Sequence, residues 1–213
     1  SEKTKGLVFM ERPETQKATR SEIQEKIVRA AKRRFDHFGF KKTTMEELAA
    51  DVEISKGAVY LHFKSKEDIL FEVVSDMIGE NLQKLEEIRA GDSAAPDKIQ
   101  EMVLFWVDRV YRKKSQVFGV EPPEVFFDGE IRDRFLTLIF PRIVQAFAAV
   151  VQDGINEGSI RRDADPAEVA MVVTVNIKHF VHMSMAPQDT DWRNEWLLIW
   201  KYLKSGICAE PNT

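Results

Sequence analysis

Between Thr43 and Lys66 the chain reads TTMEELAADVEISKGAVYLHFKSK, a stretch that leaves little freedom in local structure. Thr44 followed three residues later by Glu47 forms a capping box: the hydroxyl takes an orphan backbone N–H and the carboxylate reaches back to the cap. A helix therefore starts at Met45, with Met45, Leu48 and Ala49 spaced for one buried face, and stops near Asp51. Val52 and Ile54 flank the charged Glu53, so both point inward while the chain turns. Ser55 caps a second helix running to about His62. Ala58 and Val59, with Leu61 and Phe63 as further candidates, pack inward. Lys56, Gly57, Tyr60 and His62 are left for the outside. Ser65 with Asp68 opens a third helix. Two short helices joined by a tight turn make a helix–turn–helix unit.

Such a unit places its second helix in the major groove, with residues near that helix's N-terminus at the base edges. Here these are Ser55, Lys56, Gly57 and Ala58. Small Gly57 and Ala58 allow close approach, and Tyr60 offers a hydroxyl to phosphate or a ring to a thymine methyl. Lys66 begins the next helix, where backbone N–H groups and the positive dipole end favour a phosphate. Thr44, His62 and Lys64 complete the candidate DNA-contacting set.

From about Ser21 to Leu70 the chain resembles the DNA-binding domain of TetR/AcrR-type bacterial transcriptional regulators. The residues that carry the resemblance are Phe35, Gly39, Thr43-Thr44, Leu48-Ala49, Ser55-Lys56-Gly57, Tyr60, His62-Phe63-Lys64-Ser65-Lys66 and Leu70, at fixed spacing without a gap. The resemblance implies an operator-reading N-terminal domain on a helical body that binds a small effector and pairs with a second copy. Family members often carry Gly in the turn where this chain has Glu53.

The charge distribution agrees with that division. The 213 residues carry a net charge of −4, unhelpful for DNA binding if it were evenly spread. Residues 17–66 have twelve Lys/Arg against seven Asp/Glu (net +5), and residues 67–213 have sixteen against twenty-five (net −9). A basic unit on an acidic body is the footprint of a DNA reader with a separate second function. A lone Cys208 precludes an internal disulfide and suits a reducing cytosol. No apolar run approaching 18 residues is seen, and no signal peptide, so the expectation is a cytoplasmic protein without a membrane partner.

Along the chain, residues 1–18 have no consistent period and read as a mobile arm, from which Lys17 and Arg20 are candidates to reach DNA. Residues 20–38 form an amphipathic helix with Ile23, Ile27, Ala30, Ala31, Phe35 and Phe38 on its stripe, ended by Gly39 as a left-handed cap. A long helix from Lys66 to about Arg89 runs from the DNA-binding unit into the body as a rigid lever. A loop through Gly91–Pro96 precedes a helix over 97–114. Pro122-Pro123 breaks the segment 115–129, where a short helix fits. Pro141 should kink or split the helical stretch 130–158, which Gly158 ends. Asp165-Pro166-Ala167-Glu168 starts a helix over 166–185 that is apolar almost all round. In the last helix Trp192, Trp196, Trp200 and Leu203 share a stripe.

No enzyme constellation emerges: there is no Gly-rich phosphate loop, GxSxG or HExxH. His179, His182 and Asp189 are too loosely spaced for a metal site. In the body, Phe105, Phe126, Phe127 and Phe135 offer flat apolar walls, and Arg109, Asn176 and His179 offer convergent polar groups, the composition of a ligand pocket. Arg109 hints at an anionic or carbonyl group on the ligand. An all-round apolar helix containing Val172, beside a helix striped with Trp192, Trp196 and Trp200, invites a two-fold four-helix interface. The expectation is thus an all-α chain: arm 1–18, helix–turn–helix domain 19–66, and ligand-binding and dimerisation bundle 67–213. It needs no cofactor and no metal. Its partners are a pseudo-palindromic double-stranded operator, a second copy and an unidentified small effector. The rivals are a helical protein with a catalytic or metal-binding body, and an architectural DNA binder without effector.

Overall fold

The computed structural model describes residues 20–112, 129–183 and 191–209. These form α1 (Glu22–Phe38), α2 (Met45–Asp51), α3 (Lys56–His62), α4 (Lys66–Arg89), α5 (Ala95–Arg112), α6 (Glu130–Arg134), α7 (Phe140–Glu157), α8 (Pro166–Met183) and α9 (Trp192–Ile207). Strands are absent among the described residues, apart from one isolated bridge between Ile160 and Cys208. The arm 1–18, Phe126, Phe127, His182's side chain and Asp189 lie outside what is described.

Local chemistry sets the first four helices. Ser21 and Gln24 make a capping box at α1, and Thr44 with Glu47 makes the expected one at α2. Ser55 Oγ accepts the Ala58 N–H at 3.1 Å, and Ser65 Oγ accepts that of Asp68 at 3.0 Å. Gly39 ends α1 at positive φ (83°), but its ψ of 158° lies outside the left-handed helical region expected for it. Ile23 and Phe38 fall at the exposed ends of the α1 stripe, whereas Ile27, Val28, Ala30, Ala31 and Phe35 are buried. α5 starts two residues earlier than expected, because Pro96 needs no amide partner in a first turn and is tolerated there.

Pro141 acts before its own position. Between α6 and α7, residues Phe135–Ile139 form a π-helical turn in which the Phe140 N–H reaches Phe135 O. Widening the turn accommodates the proline ring, which an ordinary helix would drive into the carbonyl four residues back. The continuous segment Glu130–Glu157 is 28 residues long and apolar enough to cross a membrane by length and composition alone, contrary to the expectation from apolar runs. Here its inner face packs on the bundle through Ile139, Ile143, Val144, Phe147, Val150 and Val151.

The body is a packed set in which α7 meets α8 and α5, α5 meets α8 and α9, and α4 meets α5 and α7. At Gly154 an added Cβ would lie 2.6 Å from Ala95 Cβ and 2.7 Å from Ile160, so glycine is what allows α5 and α7 to close there. One hydrophobic core runs from Ile27 and Phe35 of α1, through Ile69, Leu70, Val73 and Leu85 of α4, to Phe147 and Trp196.

The tryptophan stripe overturns an expectation. Trp196 is fully buried and Trp200 is 2% exposed, their rings stacked 5.6 Å apart in the chain's own core. They do not form a surface for a second copy. The side chain of Trp192 is outside the described set. What α8 and α9 leave exposed is Met171, Val172 and Val175 on one and Leu197, Leu198 and Tyr202 on the other. α8 is thus buried on one side, through Ala170, Val173, Thr174 and Ile177, with Val172 on the free face.

Candidate nucleic-acid interface

The turn between α2 and α3 is held by backbone. Glu53 adopts φ 58°, the left-handed region that a glycine enters without penalty, so the chain accepts local strain there. Ile54 N–H bonds to Ala49 O at 3.0 Å, closing the turn. Val52 and Ile54 are half-buried against the core.

Within α3 only Val59 is buried. Lys56, Gly57, Tyr60 and Leu61 face outward, and Leu61 is 85% exposed. Leu61, one of the further candidates for the inner face, points outward. In a helix of seven residues a single side chain suffices to seat it, and Leu61 lies away from that contact. It adds an apolar group beside Tyr60 suited to a thymine methyl. Gly57 has no internal reason to be glycine: an added Cβ would meet only Ser55 Oγ, at 3.8 Å. Glycine inside a helix costs about 1 kcal/mol relative to alanine, so its presence fits close approach by something outside the chain.

Lys56 pairs with Glu46 of α2 and lies 6.0 Å from the Tyr60 ring centroid. The hydrogen bond to Glu46 raises the Lys56 pKa above its ordinary value and lowers that of Glu46. Lys56 therefore stays charged and held over the outer face by one exposed carboxylate. Thr44 and Ser55 are exposed, their hydroxyls occupied in caps. Ala58 and His62 are half-buried, and Lys64 is exposed.

Lys66 is corrected. Its ammonium donates to Phe40 O and Thr43 O, both at 2.8 Å, and lies 4.3 Å from the Phe40 ring centroid. Burial lowers its pKa. It clamps the loop before α2 onto the start of α4 and is not free for a phosphate. Arg20 is likewise held inside the molecule, by Glu72 and Asp76 of α4, not extended in an arm. Arg34 reinforces the unit by bonding both Asp51 oxygens, at 2.6 and 2.8 Å.

The candidate pocket residues are only partly gathered. Phe105 and Arg109 lie one turn apart on α5, both half-buried, and Phe135 opens the π-helical turn. Arg109 donates to Glu80 of α4 at 3.0 Å. The Asn176 amide turns back onto its own helix, donating to Val172 O at 2.8 Å, so one of its two N–H groups is taken by the helix. Phe126, Phe127 and the side chain of His179 lie outside the described residues. Two groups went unnoticed in the sequence, Glu80 and Asn81; nothing local distinguishes them from other polar positions on a long helix.

The fold and the outward α3 define a helix–turn–helix unit on a helical body. The family profile "Bacterial regulatory proteins, tetR family" matches residues 27–73. The uncharacterized HTH-type transcriptional regulator YerO of Bacillus subtilis is 40% identical over 78 residues, covering 37% of this chain and 27% of that protein. That match therefore spans about a quarter of YerO's length. A second uncharacterized regulator from the same organism, YfiR, is 26% identical over 155 residues, covering 70% and 73%. Among solved structures, the SmeT–triclosan complex superimposes with TM-score 0.65 at 19% identity, over 91% and 97% of the two chains. SmeT is the repressor of the Stenotrophomonas maltophilia multidrug efflux pump SmeDEF. Residues 27–73 are thus similar to the DNA-binding domain of the tetR family, and the helical body shares the fold of solved regulators of that type.

Proposed function

We propose that the protein is a homodimeric repressor that holds a pseudo-palindromic operator and releases it when a small, mainly apolar effector enters the body. The observation that carries the reading is α3: seated by Val59 alone, capped at Ser55, it presents Lys56, Gly57, Tyr60 and Leu61 outward. Paired copies would set two such helices one DNA turn apart, about 34–36 Å. Ligand-bound SmeT supports an effector-responsive body in this fold. Phe105, Arg109 and Phe135 are the described residues best placed to meet the ligand. Residues 67–213 act as the effector and dimerisation unit, and the site of action is the cytoplasm, where chromosomal DNA is met. The second copy covers the exposed apolar strip of α8, Met171, Val172 and Val175, together with that of α9.

The test is selection of bound duplexes from a random library with the full-length protein, followed by titration of the enriched sequence. A palindromic consensus is expected. Lys56→Ala should relax specificity at one position by about 1–3 kcal/mol. No enrichment at moderate salt defeats the reading.

A further inference from the structure

Glu80, in the second half of α4, accepts from cations on two different helices. Lys32 Nζ of α1 lies 3.3 Å from Oε1, and an Arg109 terminal nitrogen of α5 lies 3.0 Å from Oε2. α1 belongs to the DNA-binding unit and α5 to the body, so one carboxylate connects both to α4. Arg109 is incompletely used. Its Nε–H is buried with no hydrogen-bond partner among the described residues. The next residue on α4, Asn81, is 3% exposed, and its Oδ1 is likewise without a partner among the described residues. A buried donor in that condition is uncommon, and the Arg109 Nε–H calls for an acceptor to complete the site; the Asn81 oxygen, itself an acceptor, makes no such call on a carboxylate.

The charge and shape of that group follow from the triad. A guanidinium offers Nε–H and a terminal N–H as a parallel pair matched to the two oxygens of a carboxylate. Glu80 engages only the terminal arm. Lys32, Glu80 and Arg109 together carry one excess positive charge. A neutral ligand leaves that excess, and a cation adds to it. An anion lets every charge pair, Arg109 with the ligand and Glu80 with Lys32.

We propose that the effector carries a carboxylate, that it takes Arg109 through Nε and the terminal nitrogen, and that the displacement of Glu80 is what loosens α4 from the body. This rests on the reading of the body as an effector site coupled to DNA release. The step is an exchange of ion pairs in which no covalent bond changes. Glu80 is then a relay: it competes with the ligand for Arg109, and Lys32 sets how hard it competes.

The test uses full-length protein, an operator duplex obtained by the selection above, and decanoate as probe below its micellar range. Methyl decanoate and decylamine are the matched controls, and 2-naphthoate is a second acid of different shape. An acid should weaken operator binding at least about fivefold, the lower end of ordinary allosteric coupling, while the controls do not. Arg109→Gln should abolish that response. Glu80→Gln should bind the acid more tightly, because the competitor is gone, yet its coupling factor should fall towards one. Lys32→Met should bind the acid more weakly, because Glu80 is no longer shared. A merely structural Glu80 would not produce tighter acid binding together with lost coupling.

The proposal is overturned if Glu80→Gln matches the parent in both acid affinity and coupling, or if neither acid binds. It is overturned too if methyl decanoate releases operator as well as decanoate does. In that last case the effector reading survives and only the acid is lost. A parent protein that selects no duplex at all instead removes the underlying reading.

Discussion

Replacing Lys66 with methionine should destabilise the DNA-binding unit by about 3 kcal/mol. A net charge-assisted hydrogen bond is worth about 1.5–3 kcal/mol, and two such bonds reach Phe40 O and Thr43 O. The half-buried position puts each near the low end of that range or below it. The Phe40 ring, 4.3 Å from the ammonium, adds about 0.5–1 kcal/mol. Methionine keeps the stem's apolar contact and offers no donor. A loss of about 3 kcal/mol corresponds to roughly 150-fold more frequent opening. For a cooperative unfolding of a chain this size, it lowers the melting midpoint by roughly 6–12 °C. Hydrogen exchange resolved by segment is the decisive assay, with operator titration over a salt series beside it. Exchange across Phe40–Ala49 should accelerate by about two orders of magnitude relative to α7. Operator affinity should fall with an unchanged salt slope. The opposite pattern, unchanged exchange with a salt slope reduced by about one unit, is that of a lost phosphate contact and refutes the clamp.

Trp196→Ala should cost about 3–5 kcal/mol, as removal of a fully buried aromatic does, whereas Val175→Glu on the exposed face of α8 should leave the melting point near that of the parent while turning dimer into monomer in sedimentation. The reverse assignment of the two effects would return the tryptophans to the interface. Stability should also fall in acid. Arg34 holds the Asp51 carboxyl below its ordinary 3.8, and the Ala95 N–H with Ser159 holds that of Glu157 below 4.5. Both pKa values are lower folded than unfolded, so the unfolded chain takes up protons first. Their contribution is complete above about pH 5 and is lost as pH falls through the lowered values. Melting curves from pH 7 to 3 check this; Asp51→Asn should flatten the acid limb.

What could be read in advance was local. The capping boxes at Thr44 and Ser21, and the single caps at Ser55 and Ser65, use partners three residues away, and the Thr44, Ser55 and Ser65 starts fell where such spacing put them. Gln24 marks Ser21 as a cap in the same way. Pro141 was expected to break a helix, and the π-helical turn is how the break is realised. What could not be read depended on distant partners. Periodicity put Trp196 and Trp200 on one stripe, but it does not say whether the cover for that stripe comes from the same chain or another. α5 supplies it here. Lys66 lies where a helix N-terminus favours anions, yet the carbonyls that hold it come from 26 and 23 residues earlier. Glu80 looked like any exposed carboxylate because its partners are 48 and 29 positions away. Leu61 failed for a different reason: seven residues are too few for a period to identify the buried face.

The way α4 is tied also locates where it can bend. Its first half is joined to the DNA-binding unit by Lys66, by Arg20 on Glu72 and Asp76, and by the apolar contacts of Ile69, Leu70 and Val73. Its second half is joined to the body by Arg109 on Glu80, by Arg89 on Asp153 at 2.6 Å, and by Leu85 and Ile88, with Lys32 of α1 reaching across to Glu80 as a polar tie back to the DNA-binding unit. The body reaches the first half through Arg134, which pairs with Asp68 at 2.7 Å and stacks 4.0 Å from the Phe71 centroid, with both charged side chains about 30% exposed. Between the two halves stands Gly79. A Cβ added there meets nothing within 4 Å, so packing does not call for glycine, and the helix gives up stiffness at the residue before Glu80. Gly79→Ala should raise stability by about 0.5–1 kcal/mol, since the site has room and the backbone is already helical. If bending at this joint carries the effector signal, the same variant should bind operator at least as well as the parent and respond less to effector. Thermal melts and operator titrations with and without decanoate measure both. A stabilised variant with an undiminished response would mean that α4 moves as one straight rod.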